Sequence, residues 1–115
     1  MIMKQSEIRF SIELDNENIP DKIFWEATDS PTGGIEEAKS INVSIWDHQR
    51  KETMRIDLWT KDMQVDEMKR FVVDTIGGMA ESIRVATGDE FMANEMDQLC
   101  ALLVKHIKQE HSAKK

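Results

Sequence analysis

Histidine side chains offer the most direct route to chemistry in this sequence. His48 follows Asp47 directly, and an Asp–His pair can form a base with the carboxylate that orients it. Adjacent residues of a strand point to opposite faces, so we expect His48 to lie in water at a turn instead. His106 and His111 are five residues apart, which does not stack them on a helix as spacings of three or four would. The sequence therefore predicts neither a metal site nor a catalytic histidine.

The other reactive groups also lack suitable neighbours. Cys100 lies among apolar residues, where a free cysteine behaves as a small buried hydrophobe, whereas a catalytic thiol needs an exposed electropositive setting. Gly33–Gly34 has no P-loop lysine after it, and Gly77–Gly78 lies inside a predicted helix. The 22 carboxylates are too numerous for any pair to stand out. We therefore expect a protein that is not an enzyme and binds no cofactor.

The overall composition limits the classes of partner. The chain is acidic, with a net charge of -7, which argues against nucleic acid and against anionic membrane surfaces. A single cysteine allows no intramolecular disulfide, and the N-terminal residues contain no apolar run typical of a signal peptide. We expect a cytoplasmic protein without membrane insertion, folded as one domain over residues 1–115, with residues 1–5 and 111–115 frayed.

Three strands are predicted from alternation of apolar and polar residues. Residues 6–14 alternate cleanly and predict the first strand. Residues 39–60 predict two strands joined by a charged turn, with Ile41, Val43 and Ile45 on one face of the first and Met54, Ile56 and Leu58 on one face of the second. The turn contains neither Gly nor Pro, which favours a loop of four or five residues.

The segment between the first strand and the hairpin gives a weaker pattern. Residues 19–27 favour a short helix, because Pro20 suits a first helical position, although Ile23, Phe24 and Trp25 are also compatible with a short strand or a packed loop. Residues 28–34 are rich in turn formers and predict a loop.

Two amphipathic helices are predicted after residue 60. The first carries an apolar stripe from Val65 to Ile83 and ends near Gly88, a suitable left-handed cap. Asp89 then caps a second helix that runs to about Glu110. The element order β, short element, β, β, α, α predicts an α+β fold, a two-layer sandwich with a three-stranded antiparallel sheet packed on two C-terminal helices.

The tryptophans offer the most informative surface. Trp46 and Trp59 alternate with the aliphatic residues of their strands, so they fall on the face away from the helices. Burial of this face by residues 23–25 is the simpler interpretation, and an exposed aromatic patch for another chain is the functional one. The contact surface predicted on the second interpretation combines Trp46, Arg55 and Trp59 with Trp25 nearby. An open strand edge would also allow a homodimer.

Three blocks of the sequence together resemble a known family. They are IPDKIFWEATD at residues 19–29, SIWDH at residues 44–48 and DLWTKDMQVDEMKRF at residues 57–71. With SEIRFSIEL near the start and LCALL at residues 99–103, they resemble the gliding-motility-associated protein C (GldC) family. The resemblance implies a small protein linked to bacterial gliding, with no catalytic or ligand residues to carry over.

Two functions follow as expectations. The first is a non-enzymatic accessory protein of the gliding apparatus that acts by protein–protein contact, with components of the gliding machinery as partners. The alternative is a small cytoplasmic holdase for exported motility or secretion subunits, suggested only by an architecture of antiparallel sheet backed by helices.

Overall fold

The computed structural model describes residues 3–113 and contains five strands and two helices. The chain divides into two compact units, Met1–Met63 and Gln64–Lys115. The first unit holds all the strands and the second holds both helices. The predicted α+β class is confirmed. The fraying predicted for both termini falls partly outside the described residues.

The first unit contains two antiparallel sheets. In one sheet, β2 (Pro20–Ala27) lies between β1 (Ile8–Leu14) and β3 (Glu36–Ala38). The other sheet pairs β4 (Ser40–Trp46) with β5 (Thr53–Trp59). A single residue, Lys39, separates β3 from β4, and its carbonyl accepts a hydrogen bond of 2.7 Å from the amide of Thr60. The chain thus passes from one sheet directly into the other.

The structure corrects the prediction of a short helix over residues 19–27. This segment is strand β2, which pairs with β1 along its length and with β3 over residues 23–25. Residues 23–25 are buried or half-buried in succession, which agrees with Ile23, Phe24 and Trp25 forming a continuous apolar run without alternation. Ile23 is fully buried, between Ile12 on β1 and Ala38 on β3.

The composition of the three-stranded sheet also differs from the prediction. The sequence placed β1 beside the two strands of residues 39–60, whereas β1 pairs with β2, and β4 and β5 pair with each other. Strand β3 was not predicted, because its three residues include two glutamates and lie next to a loop. Strand β3 forms because its backbone groups hydrogen-bond to β2, and the composition of β3 does not indicate this pairing.

The second unit is a helical hairpin. Helix α1 (Val65–Thr87) ends at Gly88, whose backbone is left-handed and whose amide donates to the carbonyl of Arg84. Helix α2 (Glu90–Ala113) begins after Asp89, whose carboxylate accepts the amide of Met92 at 2.9 Å. Both predicted caps are therefore confirmed, and α2 extends past the predicted end at Glu110.

The two helices meet through small side chains. Ala80 of α1 and Ala93 of α2 are fully buried, and Val73 is nearly so. A Cβ at Gly77 would stand 3.9 Å from the sulfur of Cys100, so this glycine lies on the side of α1 that faces α2. Neither helix is long and apolar enough, over the part of the chain described, to cross a membrane.

Candidate functional site

The β4–β5 hairpin separates its side chains cleanly between two faces. Residues directly opposite each other in an antiparallel pair share a face, and the register pairs Val43 with Ile56 and Ser44 with Arg55. One face is therefore aliphatic, formed by Ile41, Val43, Ile45, Met54, Ile56 and Leu58. The other face carries Trp46, Arg55 and Trp59, and we call these three residues the tryptophan face.

The tryptophan face is exposed, but its two indoles lie far apart. Trp46 is 65% exposed and Trp59 is 50% exposed. Trp59 pairs with Ser40 at one end of the hairpin, and Trp46 pairs with Thr53 at the turn end. These positions are six residues apart along β5, about 20 Å at the usual rise. The face is thus two aromatic sites joined by polar side chains, rather than one aromatic cluster.

Arg55 lies between the two indoles and pairs with Asp57 on its own strand. Its Nη2 donates to Oδ1 of Asp57 at 3.0 Å, and both side chains remain about half exposed. An exposed pair of this kind contributes little to folding. Its guanidinium therefore remains accessible to solvent within this pair.

Trp25 does not belong to the tryptophan face. It lies on β2 in the other sheet, opposite Phe10 of β1 and Glu36 of β3. Its side chain is half-buried, and it lines a depression of about 150 Å³ together with Phe24 and Ile35. Of the four residues predicted for the contact surface, the structure brings three onto one face and places Trp25 on a separate sheet.

An apolar groove between the helices is the feature that the sequence did not predict as a site. It has a volume of about 320 Å³ and is lined by Met68, Val72, Val73, Leu103 and Ile107, with Lys69 and His106 among its lining residues. Lys69 bridges the helices through a contact of 2.7 Å with Glu110. Val72 is 48% exposed. We call this feature the helical groove.

The histidines and the cysteine have ordinary structural surroundings. His48 is exposed in the β4–β5 turn, and the carboxylate of Asp47 accepts the amides of Gln49 and Arg50 instead of contacting the imidazole. Cys100 is half-buried, and its thiol donates to the carbonyl of Val73 at 3.6 Å. Within residues 3–113, no three His, Cys, Asp or Glu side chains are grouped as a metal ion would require.

The groups with shifted pKa values stabilise turns and junctions. Hydrogen bonds from the amides of Ile19 and Glu17 lower the pKa of Asp15, and Lys61 contributes in the same direction. Lys61 contacts Asp15 at 3.1 Å and Asp21 at 3.6 Å, and its own pKa is raised, chiefly by its hydrogen bond to Asp15. These groups connect the β1–β2 turn to the segment after β5 and do not form a cleft.

Arg84 is the most heavily paired cation of the helical hairpin. It contacts Glu81, Glu90 and Asp97, each within 3.1 Å, and its pKa is raised, first of all by the hydrogen bond to Asp97. The guanidinium thus joins the end of α1 to the first turns of α2.

Comparison with known proteins gives one family match. The family model described as gliding motility-associated protein GldC-like matches residues 20–109, which include all three tryptophans and most of both helices. This match agrees with the resemblance of the sequence blocks around Trp25, Trp46 and Trp59.

A second similarity is more restricted. A segment of 73 residues is 26% identical to an arginine–tRNA ligase of Methanosphaera stadtmanae. The chain spans 13% of the length of that relative, so the activity of the enzyme is not carried over to this chain. No solved structure matches the chain.

Proposed function

The chain belongs to the family of gliding motility-associated, GldC-like proteins, and from this premise we propose that it is a non-enzymatic, cytoplasmic accessory protein of the gliding apparatus that works by contact with another protein. The family match over residues 20–109 is the observation that carries the link to gliding. The exposed tryptophan face supports contact as the way in which the chain acts.

The chemistry of the tryptophan face suits a protein partner with acidic and apolar groups. Trp46 and Trp59 each offer a large apolar area with few rotatable bonds, which is why tryptophan is enriched at interfaces. Arg55 between them offers a guanidinium whose present ion pair is solvent-exposed. A partner that spans about 20 Å and presents a carboxylate between two apolar sites would engage all three residues.

Affinity purification from a gliding bacterium tests this proposal. The tagged chain is expected to retain a component of the gliding machinery, and the double variant Trp46→Ala, Trp59→Ala is expected to lose it together with gliding. His48→Ala is the matched control, because His48 is exposed in the turn but lies outside the tryptophan face. Retention of the same partner by the double variant, or recovery of no partner by the wild type, would count against the proposal.

A second candidate function rests on the helical groove. Met68, Val72, Leu103 and Ile107 form an apolar surface that suits an unfolded apolar segment, as a holdase for exported subunits requires. Eight methionines in the chain, Met68 among them, add the adaptable surface typical of promiscuous binding.

An aggregation assay separates this function from the first. At equimolar amounts the chain is expected to slow aggregation of an unfolded client, and Val72→Asp is expected to abolish the effect by charging the groove. Val85→Asp is the control, because Val85 is 78% exposed on α1 and does not line the groove. Equal protection by both variants, or no protection by the wild type, would remove the holdase function.

A further inference from the structure

Strand β1 has an open edge with its own unpaired backbone groups. It forms one edge of its sheet and pairs with β2 on the other side. The amide and the carbonyl of Glu7 both bond to Thr28, so they point toward β2. Because backbone direction alternates along a strand, the amides and carbonyls of Ile8, Phe10 and Ile12 point away from the sheet. These groups form a template for another strand.

The sequence of β1 is complementary to itself when two copies run antiparallel about Ser11. Such pairing sets Arg9 opposite Glu13 of the other copy, and it does so twice because of the two-fold symmetry. It also sets Phe10 opposite Ile12 and Ile8 opposite Leu14. We propose that the occupant of this edge is β1 of a second copy of the chain, so that the two three-stranded sheets join into one.

Charge distinguishes this register from its neighbours. A shift of one residue would place apolar side chains opposite polar ones. Pairing about Phe10 instead of Ser11 would set Glu7 against Glu13, two like charges directly opposite each other, and would place Arg9 opposite Ser11 instead of a carboxylate. The proposed register sets Glu7 opposite Asp15, just beyond β1, but the charge of Asp15 is countered by its ion pair with Lys61. Pairing about Ile12 would use Asp15 as the partner of Arg9, but that carboxylate is already held by two backbone amides and by Lys61.

The proposed register also suits the geometry of the charged pairs. In the proposed register Phe10 of one copy and Ile12 of the other exchange backbone hydrogen bonds. Arg9 and Glu13 therefore form a pair that is not hydrogen-bonded through the backbone, and side chains lie closest at such pairs. The side chain of Arg9 is 70% exposed, and its contacts with Glu7 and Glu26 are at 3.3 and 3.8 Å. Those exposed contacts are weak and do not prevent pairing with a second copy.

Apolar side chains of the edge gain burial in the same arrangement. Ile8, Phe10 and Leu14 lie on one face of β1 and are 66%, 40% and 54% exposed. Two copies would bring these side chains and those of Ile12 into one continuous row across the junction. A long exposed edge of this kind invites pairing unless it is covered. The pairing does not depend on the proposed function, because β1 contains none of the residues of the tryptophan face.

Disulfide trapping tests the register. In a Cys100→Ala background, Ser11→Cys places two thiols at the symmetry axis, within the Cα separation that a disulfide accepts. Mild oxidation is expected to convert this variant to a covalent dimer. Ser6→Cys is the matched control, because it keeps both Arg9–Glu13 pairs and its two copies would stand roughly 30 Å apart in the proposed register. No dimer from Ser11→Cys, or equal yields from both variants, would overturn the proposal.

Charge reversal tests the pairing without any covalent bond. The wild type is expected to sediment as a dimer, and Arg9→Glu and Glu13→Arg are each expected to raise the dissociation constant at least about tenfold. An equimolar mixture of the two variants restores both opposite-charge pairs and is expected to dimerise again. Arg50→Glu, in the β4–β5 turn, makes the same change of charge away from β1 and should leave the dimer intact.

Three results of this experiment would contradict the proposal. They are a wild-type monomer at all accessible concentrations, a dimer that neither charge variant weakens, and a mixture that remains monomeric. Circular dichroism of each charge variant shows whether that variant is still folded. If a charge variant has lost its fold, the disulfide experiment alone tests the proposed dimer.

Discussion

Nη2 of Arg84 lies 2.9 Å from Oδ2 of Asp97, and this contact joins the last turn of α1 to the second turn of α2. The same guanidinium also reaches Glu81 on its own helix and Glu90 at the start of α2. One cation thus gathers three carboxylates around the turn at Gly88. Without it, three negative charges would remain close together with no counter-charge between them.

Replacing Arg84 by alanine is expected to lower the midpoint of thermal unfolding by a few degrees, because the variant loses the cation and leaves its three carboxylates to repel one another. Arg84→Lys should recover part of the loss, since an ammonium keeps the charge but not the planar fork. Arg70→Ala is the control, because the side chain of Arg70 is 84% exposed and its ion pair with Asp74 is long, at 3.9 Å. Equal shifts for Arg84→Ala and Arg70→Ala would show that the cluster does not hold the hairpin.

Ile23→Ala is expected to destabilise the chain by about 2–4 kcal/mol, because it leaves a cavity at a fully buried position of the central strand β2. Ile35→Ala removes the same side chain from a site that is 67% exposed and should cost no more than about 0.5 kcal/mol. Urea unfolding followed by circular dichroism measures both. A small effect at Ile23 would mean that the neighbouring side chains collapse into the cavity.

Substituting leucine for Ala93 tests the close contact of the helices. Ala93 is fully buried where α2 meets α1, so added methylene groups must displace their neighbours, which costs about 1–3 kcal/mol. Ala101→Leu is the control on an exposed side of α2 and should cost no more than about 0.5 kcal/mol, because leucine ranks just below alanine in helix propensity. Urea unfolding again gives both values, and a stabilised Ala93→Leu would show that the helices are less closely packed than the structure indicates.

Strong local patterns predicted much of the fold. The alternation from Ile8 to Leu14 identified β1, and the positions of Gly88 and Asp89 identified the turn between the helices. The segment from Pro20 to Ala27 was misread because Pro20 suits the first turn of a helix and because the apolar run of residues 23–25 lacks the alternation that identifies a strand. Which strands pair with which was also beyond prediction, since pairing depends on contacts distant in the sequence.

The candidate site was only partly accessible from the sequence. The sequence was enough to group Trp46, Arg55 and Trp59, because side chains alternate between the two faces along each strand and these three alternate with the aliphatic residues. The separation of the two indoles follows from the register, which the sequence does not specify. The helical groove was missed because the periodicity of Val65 to Ile83 indicates an apolar stripe but not what covers it.

Acid is expected to weaken the junction between the β1–β2 turn and the segment after β5. The pKa of Asp15 is lowered in the folded chain, so its contribution to stability is present above its unfolded pKa and is lost as the pH falls through the lower folded value. Urea midpoints measured between about pH 6 and pH 2 should therefore fall less steeply for Asp15→Asn than for the wild type. Asp74→Asn, on the exposed surface of α1, should follow the wild-type curve. Parallel curves for Asp15→Asn and the wild type would exclude this carboxylate as a source of acid sensitivity.

Tryptophan fluorescence should rank the three indoles by their exposure. Chains that keep a single tryptophan, with phenylalanine at the other two positions, are expected to be quenched by acrylamide most readily through Trp46, less through Trp59 and least through the half-buried Trp25. Quenching measured over a range of protein concentrations separates exposure in one chain from protection by a second copy. Strong protection of Trp46 at the lowest concentration would mean that the chain itself covers the turn end of the tryptophan face. The proposed contact with another protein would then need a rearrangement of the hairpin before the indole became available.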